Sequence, residues 1–442
     1  MSKHIYTART PEDHQAISAA HGGLQVFWQL NHDELRSSAS NWNVRHLIVF
    51  RLLIHPSEWR ILPCLEADHT ESCPVCKSEL TVPQKLDWNI TEYLVGANPQ
   101  GLTTKSDTEL LSLPSGQFWV DLARAIRHDR DDEPRQHPQR ERKMVEREGY
   151  QNSSTVIHGS SSPTVPSSSE FEFELGLERE DIDKDEHDER RARPEEVTVR
   201  LVTCFLEHAL LRCLIQHAGN GPNDTEVRPR IERKKAELRL SNLITIRSED
   251  DGGICRMRKR YGFWEMDHPY QALLEAKRFF KDIVFDTKGN KYVPVVSNEY
   301  LAQYLGEAII AWGSNQQLLG NSFRPGNLPY SLLSSSSSIF IVAAVGTFIR
   351  FIHFEFGCSY TEYLSATTVK HQLEIISDQR KDTFVHMHGT KWFNLQSGEG
   401  RGGALCCLLA LHRRFNDREA EEESDEEVQS DTMESIDGEG QS

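Results

Sequence analysis

Residues 236–281 read AELRLSNLITIRSEDDGGICRMRKRYGFWEMDHPYQALLEAKRFFK. Apolar residues fill strand-length runs from Leu238 to Ile246, Gly252 to Met257 and Tyr270 to Leu274, which predicts three strands. Asp250 and Asp251 fall at the turn between the first two runs, and the third run delivers Glu275-Ala276-Lys277. Side chains alternate along a strand, so Glu275 and Lys277 are expected on one face. Two carboxylates and an ammonium at one sheet edge can hold Mg²⁺ and orient a water. That is the minimum equipment for metal-dependent hydrolysis of a phosphodiester.

The flanks supply the remaining elements. Upstream, Val197, Leu201, Val202, Phe205, Leu206, Ala209, Leu210 and Leu214 repeat at helical spacing, and Gly219 with Gly221-Pro222 stops that helix. Downstream, Tyr300, Leu301, Tyr304, Leu305, Ala308 and Ile309 predict a helix from Asn298 to Trp312 with Ser297 as its N-cap. Ile339 to Val345 and Phe348 to Phe356 then read as a hairpin of two buried strands. This apolar run approaches the length of a membrane span, but Arg350, His353 and Glu355 would be expensive in lipid, so no membrane partner is expected.

The order helix, three strands, helix, strand, with an acid before the second strand and E-x-K on the third, resembles the PD-(D/E)xK nuclease superfamily, in which fungal members have a similar look. The resemblance covers about residues 195–356. It implies a mixed sheet flanked by helices, with Mg²⁺ bound by Asp251, Glu275 and the Ala276 carbonyl. Lys277 would position the attacking water or stabilise charge on the phosphate. Glu207, on the first helix, would be a further metal ligand, and Gln303, on the second, a helical glutamine of the catalytic set. Asp267 is a second candidate for the first acid. The basic stretches agree with a polyanionic partner: residues 228–281 hold fourteen Lys/Arg against eight Asp/Glu, with Tyr261, Phe263 and Trp264 interleaved as stacking surfaces for bases.

The rest of the chain sets the organisation. The class is α+β, with two ordered domains expected: residues 1–126, of unknown role, and the nuclease-like 195–415. In the first, runs such as Gly23 to Leu30 and Arg45 to Ile54 look like strands, and a helix is expected from Pro114 or Ser115 through Ile126. Residues 127–194 are charge blocks around a Ser/Thr/Pro stretch and predict a disordered linker. The formal net charge of −17 is concentrated beyond residue 416, where twelve acidic residues face one Arg. Residues 416–442 therefore predict a disordered acidic tail, suited to a basic protein partner.

Nine cysteines in 442 residues, behind a polar N-terminus, point to free thiols and an intracellular setting, nucleus or cytoplasm, rather than secretion. Cys64, His69, Cys73 and Cys76 lie within thirteen residues and form a candidate Zn²⁺ loop; the same residues also suit thiols buried in a core. A second functional class fits the same features. In it the chain is a non-catalytic interaction or scaffold protein that keeps a degenerate nuclease-like fold and binds through its acidic tail.

Overall fold

The computed structural model describes residues 5–56, 59–69, 73, 75, 91–97, 99–127, 195–217, 225–240, 244–277, 282–286, 291–322 and 337–415. Its centre is the apolar hairpin β9 (Ser338–Val345) and β10 (Phe348–Phe356), paired in register from Phe348↔Val345 to Glu355↔Ser338. Such a run stays dry only if both faces are covered. Ile339, Ile341 and Ala343 enter one core, whereas Phe340, Val342 and Ala344 enter the other, as the period of two requires.

Around this hairpin stands an eight-stranded mixed sheet in the order β1–β11–β10–β9–β6–β5–β2, with β12 (Phe393–Asn394) added beside β10. Here β1 is Leu52–Ile54, β2 Thr225–Arg230, β5 Gly253–Arg260, β6 Phe263–Lys277 and β11 Val385–Gly389. β2, β5 and β6 form an antiparallel meander. The chain then crosses through the helix Asn298–Ser322 and returns as β9, parallel to β6. Two small hairpins stand apart: β3 (Lys235–Leu240) with β4 (Ile244–Glu249), and β7 (Asp282–Asp286) with β8 (Lys291–Val295). The helix Asn298–Ser322 shares its core with β3, β4 and the β9 face carrying Ile341. Helices Gly116–Ile126 and Glu195–His217 share the opposite core with residues of the helix 398–415.

Several expectations change. The run from Leu238 to Ile246 is not one strand: it spans the end of β3 and the start of β4, and the first strand of the main sheet is instead the charged β2. β6 is fifteen residues long, extending well before Tyr270. In the first block, Phe27–Gln29 is a 3-10 turn and Val44–Val49 a helix, capped where the Asn43 side chain accepts from the Arg45 N–H at 2.9 Å. Only Leu52–Ile54 of those runs is a strand.

That first block is not a domain apart. Its strand β1 pairs in parallel with β11, and residues up to Arg127 form one compact unit with those after Arg193. Trp42 stacks on Phe50 with centroids 4.5 Å apart and lies against Gly306, where a Cβ would come within 3.0 Å of the indole. Residues 128–194 and 416–442 lie outside the described residues, and with them the expected linker and acidic tail. Among the described residues no helix is long and apolar enough to cross a membrane.

Candidate functional site

The turn joining β4 to β5 separates the roles of its two aspartates. Asp250 faces inward and is gripped by Arg230, with Nη1 to Oδ1 at 2.9 Å and Nη2 to Oδ2 at 2.7 Å, both side chains almost wholly buried. It also accepts the N–H groups of Lys234 and Gly252, each at 3.1 Å, which makes it the staple of the turn. Gly252 and Gly253 follow at φ +127° and +155°. A Cβ on Gly253 would fall 2.2 Å from the Ala272 carbonyl oxygen, so the close approach of β5 to β6 needs glycine there.

This turn brings Asp251 to the E-x-K segment. Asp251 donates its backbone N–H to Leu274 O at 3.0 Å, and its Oδ2 accepts the Ala276 N–H at 3.0 Å. Arg233, from the loop after β2, reaches Asp251 Oδ1 at 3.1 Å. Glu275 and Lys277 lie on one face of β6, as expected, and their side chains are hydrogen-bonded to each other. Lys277 also stands 5.7 Å from the Tyr300 ring centroid, within reach of a cation–π attraction. From the facing helix, Gln303 donates its amide to Glu275 Oε1 at 2.5 Å and to Glu307 Oε1 at 2.8 Å.

The result is a buried acidic cluster with one ammonium. Glu275 is 1% exposed, and burial pushes its carboxyl up to about 7, with Asp251 adding to the rise and Lys277 opposing it. Burial and then Glu275 push Glu307 well above the carboxylate range. Asp251 is raised by burial against the pull of the Ala276 N–H and Arg233. Glu195, at the start of its helix, is likewise raised by burial and feels both Lys277 and Asp251. Burial alone would lower Lys277, but Glu275, backed by Glu195 and Glu307, holds it above the ordinary lysine value. Glu307 Oε2 is buried without a hydrogen-bond partner.

Asp251, Glu275, Lys277 and Gln303 thus come together. Glu207 does not join them. It is twelve residues along its helix from Glu195, about 18 Å at 1.5 Å per residue, and lines a cleft of about 450 Å³ with Gln117, Asp121, Arg200 and Arg233. The acid this helix supplies is Glu195. Asp267 is also excluded. Arg256, Arg258 and Arg260 converge on it at 2.8, 3.3 and 3.4 Å, and it stands eight residues back along β6, about 26 Å from Glu275.

The reading of the sequence missed Glu195, Arg233 and Glu307. Glu307 had a signal: it is four residues after Gln303, hence on the same helix face. Glu195 lay at the boundary taken for the linker's end.

Three of the basic residues are thus paired with Asp267, while the β5–β6 hairpin tip projects aromatic groups. Tyr261 is 98% and Phe263 74% exposed, on either side of Gly262, and Arg228 stacks over Trp264 at 4.6 Å.

The candidate Zn²⁺ loop is rearranged. His69 and Cys73 meet Cys406 from the helix 398–415, with one ligand atom from each lying within 4.8 Å of the others. Cys64 is not in that group, and Cys76 lies outside the described residues. Among the described residues this is the one set of three potential ligands so gathered; no three carboxylates of the Glu275 cluster are.

Comparison of the chain with protein-family models and with curated proteins gave no match.

Proposed function

We propose that the protein is a metal-dependent phosphodiesterase of nuclease type, acting on a nucleic acid, with a PD-(D/E)xK-like core made of the helix Glu195–His217, β2, β5, β6, the helix Asn298–Ser322 and β9. The observation that carries this reading is the meeting of Asp251, Glu275 and Lys277 around Ala276, beneath Gln303 and Glu307.

The residues fit a hard divalent cation. The donors are carboxylate oxygens, and burial, with Asp251 adding to it, holds Glu275 near 7, so a cation that neutralises these carboxylates is favoured there. Glu307 Oε2 is an orphaned oxygen in the same layer. Mg²⁺ keeps several waters and takes only one or two carboxylates, so a set of two first ligands, Asp251 and Glu275, meets its needs. When bound, the cation supplies charge neutralisation on the scissile phosphate and a lowered pKa for water.

The protein's own groups do the positioning. Gln303 fixes the rotamers of Glu275 and Glu307 through one amide. The Ala276 N–H and Arg233 aim Asp251. Lys277, held protonated by its acidic neighbours, is placed to donate to a phosphate oxygen or orient a water. Tyr261 and Phe263 offer stacking faces at the hairpin tip, twelve or more residues of strand from Glu275, or about 40 Å at full extension. A long substrate is needed to touch both.

The competing reading, a non-catalytic scaffold, draws on the same hydrogen bonds, since Lys277 and Gln303 already occupy Glu275 Oε1. Cleavage separates the two. Labelled single- and double-stranded DNA and RNA are incubated with the full chain and Mg²⁺ or Mn²⁺. Wild type is expected to cleave at least one of them, and Glu275→Ala and Lys277→Ala to lose about 10²-fold or more. Equal rates in all three proteins, or none in wild type on any substrate, would favour the scaffold.

A further inference from the structure

We infer that His69, Cys73 and Cys406 bind a zinc ion that ties the loop after the 3-10 turn Pro63–Leu65 to the helix 398–415, independently of the Glu275 cluster. Ligand chemistry and spacing carry this. Two thiols and an imidazole from positions more than 330 residues apart converge with their ligand atoms within 4.8 Å of one another. Cys73 is 1% and Cys406 0% exposed. Their sulfurs are 3.7 Å apart. Two thiolates on a tetrahedral zinc, each about 2.3 Å from the metal, stand about 3.8 Å apart. A disulfide requires about 2.05 Å. The sulfurs therefore already have the separation a shared metal imposes, while a covalent bond would require them to move together.

The surroundings hold the ligands in place. Two turns along the helix from Cys406, Arg413 Nη1 donates to Asp68 O at 3.0 Å. Arg414 Nη1 donates to Cys64 O at 2.8 Å and reaches Asp68 Oδ2 at 3.3 Å. Residues seven or eight apart share a helix face, so the arginines and Cys406 all present to the same loop. Cys407, the neighbouring thiol, turns elsewhere and bonds Arg60 O at 3.2 Å. The soft S₂N donor set selects zinc over the hard cations suited to the acidic cluster. Binding converts two thiols to thiolates and releases two protons, and the metal takes the place of a disulfide that a reducing compartment would not sustain.

The test uses the full chain, reduced and stripped with a chelator, then titrated with Zn²⁺ and, separately, Co²⁺. Uptake of one Zn²⁺ per chain is expected, with release of about two protons and a cobalt spectrum containing a thiolate charge-transfer band. Cys73→Ser and Cys406→Ser should weaken uptake at least about tenfold. Cys358→Ser, at an exposed cysteine, should leave it unchanged. Absence of uptake by the folded wild type, a cobalt spectrum without the thiolate band, or uptake unchanged in both cysteine variants would overturn the proposal. If the variants do not fold, the wild-type titration and cobalt spectrum decide.

Discussion

Replacing Glu275 by glutamine should flatten the pH dependence of stability. Burial raises the Glu275 carboxyl from its ordinary 4.5 to about 7. Between those two pH values the folded chain holds a proton that the unfolded chain has released, so stability falls as pH rises through the window and the loss is complete above pH 7. A shift of this size corresponds to about 3 kcal/mol at 1.36 kcal/mol per unit. Glutamine keeps the shape and the hydrogen-bonding reach toward Gln303 and Lys277 but carries no proton to lose. Denaturant unfolding followed by tryptophan fluorescence, in chelator at pH 5, 6, 7 and 8, should show wild type losing about 2.5 kcal/mol more than Glu275→Gln across the series, the remainder being lost below pH 5. Mn²⁺ at about one hundred times its dissociation constant should return about 2.7 kcal/mol to wild type at pH 8, and little to the variant. Parallel pH profiles for the two proteins would show that this carboxyl is not buried among like charges, and the electrostatic argument for a cation would go with it.

Three other perturbations follow from the same geometry. Asp250→Ala leaves the buried Arg230 guanidinium unpaired and should cost about 3–5 kcal/mol by chemical denaturation, whereas Asp251→Asn should leave stability nearly unchanged or raised at neutral pH. Gly253→Ala sets a methyl against the Ala272 carbonyl at a positive φ and should destabilise by more than about 2 kcal/mol, while alanine at Gly262, at φ +86° but with nothing near its Cβ, should cost less. Tyr261→Ala with Phe263→Ala should leave the unfolding midpoint within about 0.5 kcal/mol of wild type and weaken single-stranded nucleic-acid binding by about 1–3 kcal/mol per lost stacking contact, read by fluorescence anisotropy.

The fold was legible where the pattern of residues and their tertiary burial agree. The β9–β10 hairpin is apolar on both faces because both are covered, and the Asn298 helix has its Ser297 cap, whose Oγ accepts the Tyr300 N–H at 3.3 Å. β2 escaped notice because TEVRPR is charged and contains Pro229; at the sheet edge neither feature is penalised. Pro269 likewise hid the first half of β6. The pairing of β5 with β6 is irregular around Arg256, opposite that stretch, and an irregular ladder does not require every N–H. Val44–Val49 reads as a strand by composition and becomes a helix through the Asn43 cap and burial of its apolar face.

In the site, alternation along β6 was enough to place Glu275 and Lys277 together. The choice between Asp250 and Asp251 depended on Arg230, a residue twenty positions away whose grip on one of them the sequence does not reveal. Glu195 against Glu207 was a question of which end of a helix meets the sheet, and Cys406 for Cys64 a contact across the whole chain; neither follows from local spacing.

Binding of a divalent cation between Asp251 and Glu275, as proposed, is read at the atoms themselves by the anomalous difference map of crystals soaked in Mn²⁺. One peak is expected, bounded by those two carboxylates beside Lys277 and absent from Asp251→Asn and Glu275→Gln crystals. A well-ordered map with no peak there, or with manganese bound only elsewhere on the molecule, would contradict it.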